Sequence, residues 1–356
     1  MSSQAANDRA RHVRPTMRDV AAIAGVAIKT VSRVMNGEPT VAPELAARVH
    51  AAADKLGYRP NLTASSLRRG DGRSSTIGLL LEDVANPFSA ALLRTVEDCA
   101  RERRVQVLIA SLDEDPDREQ EMARTLIDRR VDGLIIVPAG RDQSYLLAER
   151  RLGVSVVFLD RAPRLLDADA VMSDNRKGAA NAVDHLHAVG HRRIGYLGDS
   201  LAIATATERY AGYREALQRL GLPEDPLLVR HDLRTIEAAA AATGELLGRP
   251  EPPTALFASQ NLVTIGATKM LHQMGCEHAI ALVGFDDFLL ADVLQPGVTV
   301  ITQDTTGLGA LAARLLFARL DGDGSPPQTH LVRTGMVLRG SGEIPPPKAS
   351  KVRPRR

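Results

Sequence analysis

The chain has 356 residues, 44% hydrophobic and 25% charged, with two cysteines and a formal net charge of +2. That length suggests two or three domains, and the apolar content supports packed cores. No apolar run reaches the ~18–20 residues of a membrane span, the polar stretch 1–14 lacks the apolar segment of a secretory signal, and Cys99 and Cys276 form no metal or redox spacing, so a cytoplasmic protein without metal, cofactor or membrane partner is expected.

The small net charge hides a polarity along the chain. Residues 1–74 hold 12 basic and 6 acidic side chains, residues 344–356 hold 5 basic and no acidic ones, and the stretch between is net −9. A basic head on an acidic body suits a polyanion-binding module attached to a soluble domain.

In chain order, Thr16 followed three residues later by Asp19 is a capping-box pattern that predicts a helix start. Gly25 permits the positive φ of a sharp turn, and a second short helix is expected over 28–35, closed by Asn36-Gly37. Val20, Ala24, Val26, Val31 and Val34 fall into one small core, which leaves Ile28, Lys29, Ser32 and Arg33 facing outward. Pro43 announces a third helix that stops at Gly57-Tyr58. Helix, glycine turn and short helix form a helix-turn-helix, in which the second helix enters the major groove of DNA.

The ordered strings Met17-Arg18-Asp19-Val20-Ala21, Ala24-Gly25-Val26, Thr30 to Gly37 and Leu56 to Asn61 resemble the head of LacI–GalR family repressors. The resemblance implies that Ile28, Lys29 and Arg33 read base edges. It places Thr30 and Ser32 at phosphates or in positioning the helix, and adds Thr16, Asn36, Tyr58 and Asn61 to the DNA-binding set. Ala27 and Ala42 stand where the family carries Ser or Thr caps, a loss of roughly 0.5–2 kcal/mol per helix. Residues 61–75 resemble the family's hinge helix and linker. Leu67 matches the leucine that wedges between base steps, and Arg68 and Arg69 are expected at phosphates.

From Thr76 short apolar runs alternate with helical stretches. Strands are expected at 77–81, 105–110, 133–137 and 154–159, then at 194–198, 255–258, 280–284 and 298–302. Such alternation predicts parallel sheets covered by helices, here two similar subdomains with a cleft beyond the strand ends. Asn86-Pro87-Phe88, Val131 to Ile135, Asp174 to Gly178, Gly190 to Ile194, Arg209 to Tyr213 and Val283 to Asp287 extend the resemblance to about residue 342. It implies a body similar to periplasmic sugar-binding proteins, whose lobes close on a ligand. Asn86, Phe88, Asp160, Arg209, Gln260 and Asp286 match effector-contacting positions, with Gln260 standing where relatives show Asn.

The expected architecture is therefore an all-α helix-turn-helix head joined by a hinge helix to an α/β body of two parallel-sheet subdomains. The boundaries are a tail over 1–15, the head at 16–60, the hinge and linker at 61–75, and the body at 76–342. Within the body one subdomain takes 76–173 with 303–330 and the other 174–302 with 331–342, followed by a basic tail at 343–356. The expected function is a DNA-binding transcription regulator, a homodimeric repressor on a pseudo-palindromic operator, controlled by a small sugar-like effector. A sugar-binding protein without a regulatory role and a sugar-modifying enzyme are the alternatives, and no catalytic constellation is present for the second. His185, His187 and His191 invite a metal reading, but no zincin-type Glu accompanies them.

Overall fold

The structure, a computed structural model, describes residues 15–35, 37–38, 40–59 and 73–347. The chain divides into two compact units, one ending at Ser74 and one beginning at Ser75. The expectations placed on Asn36, Asn61, Leu67, Arg68 and Arg69, and on the hinge over 61–72, lie outside the described residues. So do those placed on the two terminal segments 1–14 and 348–356.

The first unit holds α1 (Met17–Ala24), α2 (Ile28–Met35) and α3 (Pro43–Leu56). The Asp19 carboxylate accepts from the Thr16 backbone N–H and hydroxyl, each at 2.7 Å, and so ties the start of α1. Gly25 ends that helix at φ +62°, where a side chain would be strained. Arg48 of α3 donates to the Ala24 carbonyl at 2.6 Å and satisfies one of the carbonyls a helix end leaves unpaired. Ala42 gives α3 no side-chain cap, and Pro43 at the first helical position only spares it one orphan N–H. Val20, Val31 and Val49 form the centre of the core, with Ala21, Ala24, Val34, Ala52 and Ala53 around them. Val26, expected inside, packs at the edge.

The second unit contains two six-stranded sheets. The first comprises β1 (Thr76–Leu81), β2 (Gln106–Ser111), β3 (Gly133–Ile136), β4 (Ser155–Leu159), β5 (Asp169–Ser173) and β11 (Thr329–Val332), in the order β2-β1-β3-β4-β5-β11. The second comprises β6 (Ile194–Leu197), β7 (Val229–Arg230), β8 (Ala255–Ala258), β9 (Ala281–Phe285), β10 (Thr299–Thr302) and β12 (Gly335–Val337), in the order β7-β6-β8-β9-β10-β12. Every pairing is parallel except β10 with β12. The two orders are the same pattern written twice.

Helices α4 (Pro87–Glu102), α5 (Pro116–Asp128), α6 (Leu147–Arg151) and α11 (Thr305–Leu320) belong to the first lobe. Helices α7 (Asn175–Val189), α8 (Ala204–Arg219), α9 (Ile236–Leu247) and α10 (Asn261–Gln273) belong to the second. Each sheet is buried on both faces, which is why most strands are continuous apolar runs. The exceptions are edge strands: on β2 Leu108 and Ile109 are each more than a third exposed, and on β11 Leu331 is more than half exposed. The chain crosses between lobes three times, from β5 to α7, from β10 to α11 and from β11 to β12.

The chain stays docked past residue 342, where a basic tail was expected to begin. The Glu343 carboxylate accepts from Thr299 at 3.0 Å and pairs with His185 at 2.7 Å. The Ile344 carbonyl is 2.8 Å from His191 Nε2. His191 is fully buried, its other ring nitrogen is 2.9 Å from the Thr254 hydroxyl, and burial holds its pKa below the ordinary value. His185 and His191 thus fasten the end of the body.

Candidate functional site

A cleft open to solvent lies between the lobes. All six residues singled out for it, Asn86, Phe88, Asp160, Arg209, Gln260 and Asp286, line it together. Each comes from just beyond a strand or from the first turns of a helix, where open α/β sheets present their binding groups.

Asp160 follows β4 and Asp286 follows β9, at equivalent places in the two lobes. Both sit in the left-handed region, at φ +66° and +68°. Each donates its backbone N–H at 2.8 Å to the neighbouring strand, Asp160 to Val171 and Asp286 to Ile301. Aspartate tolerates this conformation better than branched residues do. The turn aims both carboxylates into the cleft.

Arg209 is buried in the first turns of α8 and spans three partners. Its Nε donates to Asn175 Oδ1 at 2.7 Å and its Nη1 to the Ser259 carbonyl at 2.8 Å, while Asp286 Oδ2 stands at 3.5 Å. The guanidinium also lies 3.9 Å from the centre of the Phe285 ring. Gln303, on the crossing from β10 to α11, donates to the other Asp286 oxygen at 2.6 Å. Two of the three crossings therefore touch this Arg–Asp pair, Asn175 at one and Gln303 at the other.

Gln260 keeps less freedom than its side chain suggests. Its carbonyl oxygen caps α10, accepting from the N–H groups of Leu262 and Val263 at 3.1 and 3.3 Å. Its amide nitrogen faces the cleft lining without a hydrogen bond among the described residues. Asn86 caps α4 through Phe88 N–H at 3.0 Å and also accepts from Asn261 Nδ2 at 2.8 Å, joining the lobes across the cleft.

Sequence reasoning missed Asn261, Glu82, Arg161 and Asp199, all in the lining. Position carried a usable signal: Glu82 directly follows β1, Arg161 directly follows Asp160, and Asp199 lies two residues past β6. Arg161 forks onto Glu114 at 2.7 and 2.5 Å, and both are buried. Burial and the neighbouring carboxylates of Glu114, Asp160 and Asp199 push Glu82 up to about 7, against the attraction of Arg161. Burial likewise raises the carboxyls of Asp160 and Asp199.

In the head, Ile28, Lys29 and Arg33 are exposed on the outer face of α2, while Val31 and Val34 turn inward. Thr30 and Ser32 are half-buried, Thr16 is exposed at the cap of α1, and Tyr58 packs against the core. Arg33 stands 3.6 Å from the Glu38 carboxylate. No helix among the described residues is long and apolar enough to cross a membrane.

A helix-turn-helix head with a two-lobed, periplasmic-binding-protein-like body defines a class of DNA-binding regulators. The model for lacI-family bacterial regulatory proteins matches residues 16–61, and that for the periplasmic binding protein-like domain matches residues 183–342. The regulator PtxS of Pseudomonas plecoglossicida is 33% identical over 93% of this chain and 96% of its own. A structure of the transcriptional regulator CelR with cellobiose is 31% identical, covering 92% of this chain and 100% of that one, with a TM-score of 0.68. The lac repressor dimer bound to operator and the anti-inducer ONPF is 26% identical over 92% of this chain and 99% of that one, with a TM-score of 0.80. The chain belongs to the lacI family of bacterial regulatory proteins. It is a DNA-binding transcriptional regulator and not an enzyme.

Proposed function

We propose that the chain is a cytoplasmic repressor that binds a pseudo-palindromic operator as a homodimer and answers to a small polyhydroxylated ligand in its cleft. Residues 16–60 serve as the DNA-binding domain and 76–342 as the ligand-binding and dimerisation body. The observation that carries the reading is the convergence on one cleft of six residues chosen for ligand contact, in a chain whose α2 presents Ile28, Lys29 and Arg33 outward.

On the DNA side, Arg33 and Lys29 suit guanine edges and Ile28 suits a thymine methyl, while Thr30, Ser32 and Thr16 suit phosphates. Edge strand β2, with Leu108 and Ile109 open, supports association of the body with a second copy. On the ligand side, Arg209, Asp286 and the Gln260 amide supply hydrogen bonds and Phe88 an apolar face. A ligand held by Arg209 and Asp286 pulls on Asn175 and Gln303, which sit on two lobe crossings. Lobe closure and the spacing of the two heads would then be linked, and that linkage is reciprocal.

The test selects duplexes from a random pool with the full-length protein and measures their affinity by fluorescence anisotropy. A palindromic site, bound by the native protein and bound more weakly by Arg33→Ala, is the expected outcome. Equal binding of selected and scrambled duplexes would overturn the reading.

A further inference from the structure

We propose that the cleft selects a sugar-like ligand bearing a protonated amino group, with Glu82 and Asp160 as the carboxylates that receive it. The proposal rests on the cleft being the effector site and adds the charge of the effector.

The argument begins with which charges in the cleft are already answered. Four carboxylates, Glu82, Asp160, Asp199 and Asp286, face two guanidinium groups, Arg161 and Arg209. Arg209 and Gln303 answer Asp286. Asp199 accepts from the Ser200 N–H at 2.6 Å and has Arg234 at 3.8 Å. Arg161 spends its fork on Glu114, outside the lining, and reaches Asp160 only through Nε at 3.5 Å.

Two carboxylates are left over. Asp160 is 6% exposed, and its Oδ1 has no hydrogen-bond partner. Among the described residues, the Glu82 side chain has neither a hydrogen bond nor an ion pair. A buried acceptor left unpaired is costly, and a buried charge more so. The excess negative charge disfavours a phosphorylated or acidic ligand. A neutral sugar could donate hydroxyls to Asp160 but would strip water from these carboxylates without cancelling their charge. An ammonium group does both, donating hydrogen bonds and supplying the counter-charge. The raised carboxyls of Glu82 and Asp160 report the same deficit.

The rest of the cleft fits a polyol ring. Phe88 and Ile203 give apolar surface, and the Gln260 amide and Thr205 offer groups for hydroxyls. Among the described residues, no three His, Cys, Asp or Glu side chains are placed to hold a metal ion.

The experiment is calorimetric titration of the full-length protein near neutral pH with D-glucosamine, D-galactosamine and D-mannosamine, each beside its neutral parent hexose and its N-acetyl form. At least one amine should bind about tenfold tighter than both neutral counterparts. In Glu82→Gln that preference should shrink to within about threefold. Asp160→Asn, which keeps the shape and tolerates the same backbone, should narrow the ratio of amine to neutral-sugar affinity likewise. Operator affinity is measured in parallel. Neutral hexoses binding as tightly as the amines, or no amine binding at millimolar concentration, overturns the charge assignment; if a neutral sugar then shifts operator affinity, the regulatory reading stands. An amine that binds with the charge preference but leaves operator affinity unchanged keeps the charge assignment and overturns the regulatory reading.

Discussion

Asn261, at the start of α10 in one lobe, donates to Asn86, the cap of α4 in the other, across 2.8 Å. The same Asn86 oxygen holds the Phe88 N–H, so the latch is tied to a helix end and not to a free side chain. Asn261→Ala should leave the lobes folded and loosen their closure. A buried hydrogen bond of this kind is worth about 1 kcal/mol, or about fivefold in ligand affinity. Small-angle scattering should show a larger radius of gyration, and an unchanged radius with unchanged affinity would refute the latch.

Glu82 makes a prediction in pH. Burial, then repulsion from Glu114, Asp160 and Asp199, outweighs the pull of Arg161 and raises its pKa to about 7 from an ordinary 4.5. The folded state therefore binds this proton more tightly than the unfolded chain does. Stability falls as pH rises from 4.5 toward 7, and the full cost is present above 7. Its upper bound is about 3 kcal/mol. Glu82→Gln should raise the melting temperature above pH 7 and flatten its dependence below. An identical pH profile in the variant would show that Glu82 is not the group.

Arg209 is buried with Asn175, Ser259 and Asp286 arranged around it. Removing it strands a buried carboxylate, so Arg209→Ala should cost about 3–5 kcal/mol. Arg209→Lys keeps the charge but lacks the planar fork. It should fold better than the alanine variant and still lose the ligand's effect on operator release. A lysine variant with a normal ligand response would reduce Arg209 to a structural role.

Arg33 and Glu38 form a half-exposed ion pair at 3.6 Å. Such pairs contribute about 0–1 kcal/mol. DNA must compete with Glu38 for this guanidinium, so Glu38→Gln should tighten operator binding a few-fold. Arg33→Ala should weaken specific binding by about 1–3 kcal/mol. Anisotropy titrations across salt concentrations measure both. Weaker binding by the glutamine variant would show that Glu38 positions Arg33 for DNA and does not compete with it.

Ala42 precedes Pro43 at the start of α3 with no side-chain cap. Ala42→Ser should stabilise the head by about 0.5–2 kcal/mol. Amide exchange of Val49, Ala52 and Ala53 should slow in proportion, and unchanged exchange would place the weak point of the head elsewhere.

How much of this was legible in the residues differs by element. The helices of the head follow from Thr16-Asp19, Gly25 and Pro43, each a local signal that needs no tertiary information. The central strands follow from unbroken apolar runs such as Thr76–Leu81. β5 was hidden because it begins on Asp169, a charge that reads as a loop until Arg319 is seen bound to it at 2.7 Å. β7, β11 and β12 are two to four residues long and sit at sheet edges, where packing imposes no pattern. In the cleft, family-like strings reached Arg209 and Asp286. Glu82 and Arg161 were missed because their meaning depends on Glu114, which follows a different strand and meets them only in space.

The threefold crossing of the chain has a consequence for how the protein is made. The first sheet lacks its sixth strand, and its face lacks α11, until residues 305–332 have been synthesised. The second sheet lacks β12 and the Glu343–Ile344 clasp until slightly later. Neither lobe can finish folding on the ribosome before nearly the whole chain has emerged, whereas α1 to α3 need nothing beyond Tyr58. The helix-turn-helix unit can therefore fold while both lobes of the body are still incomplete.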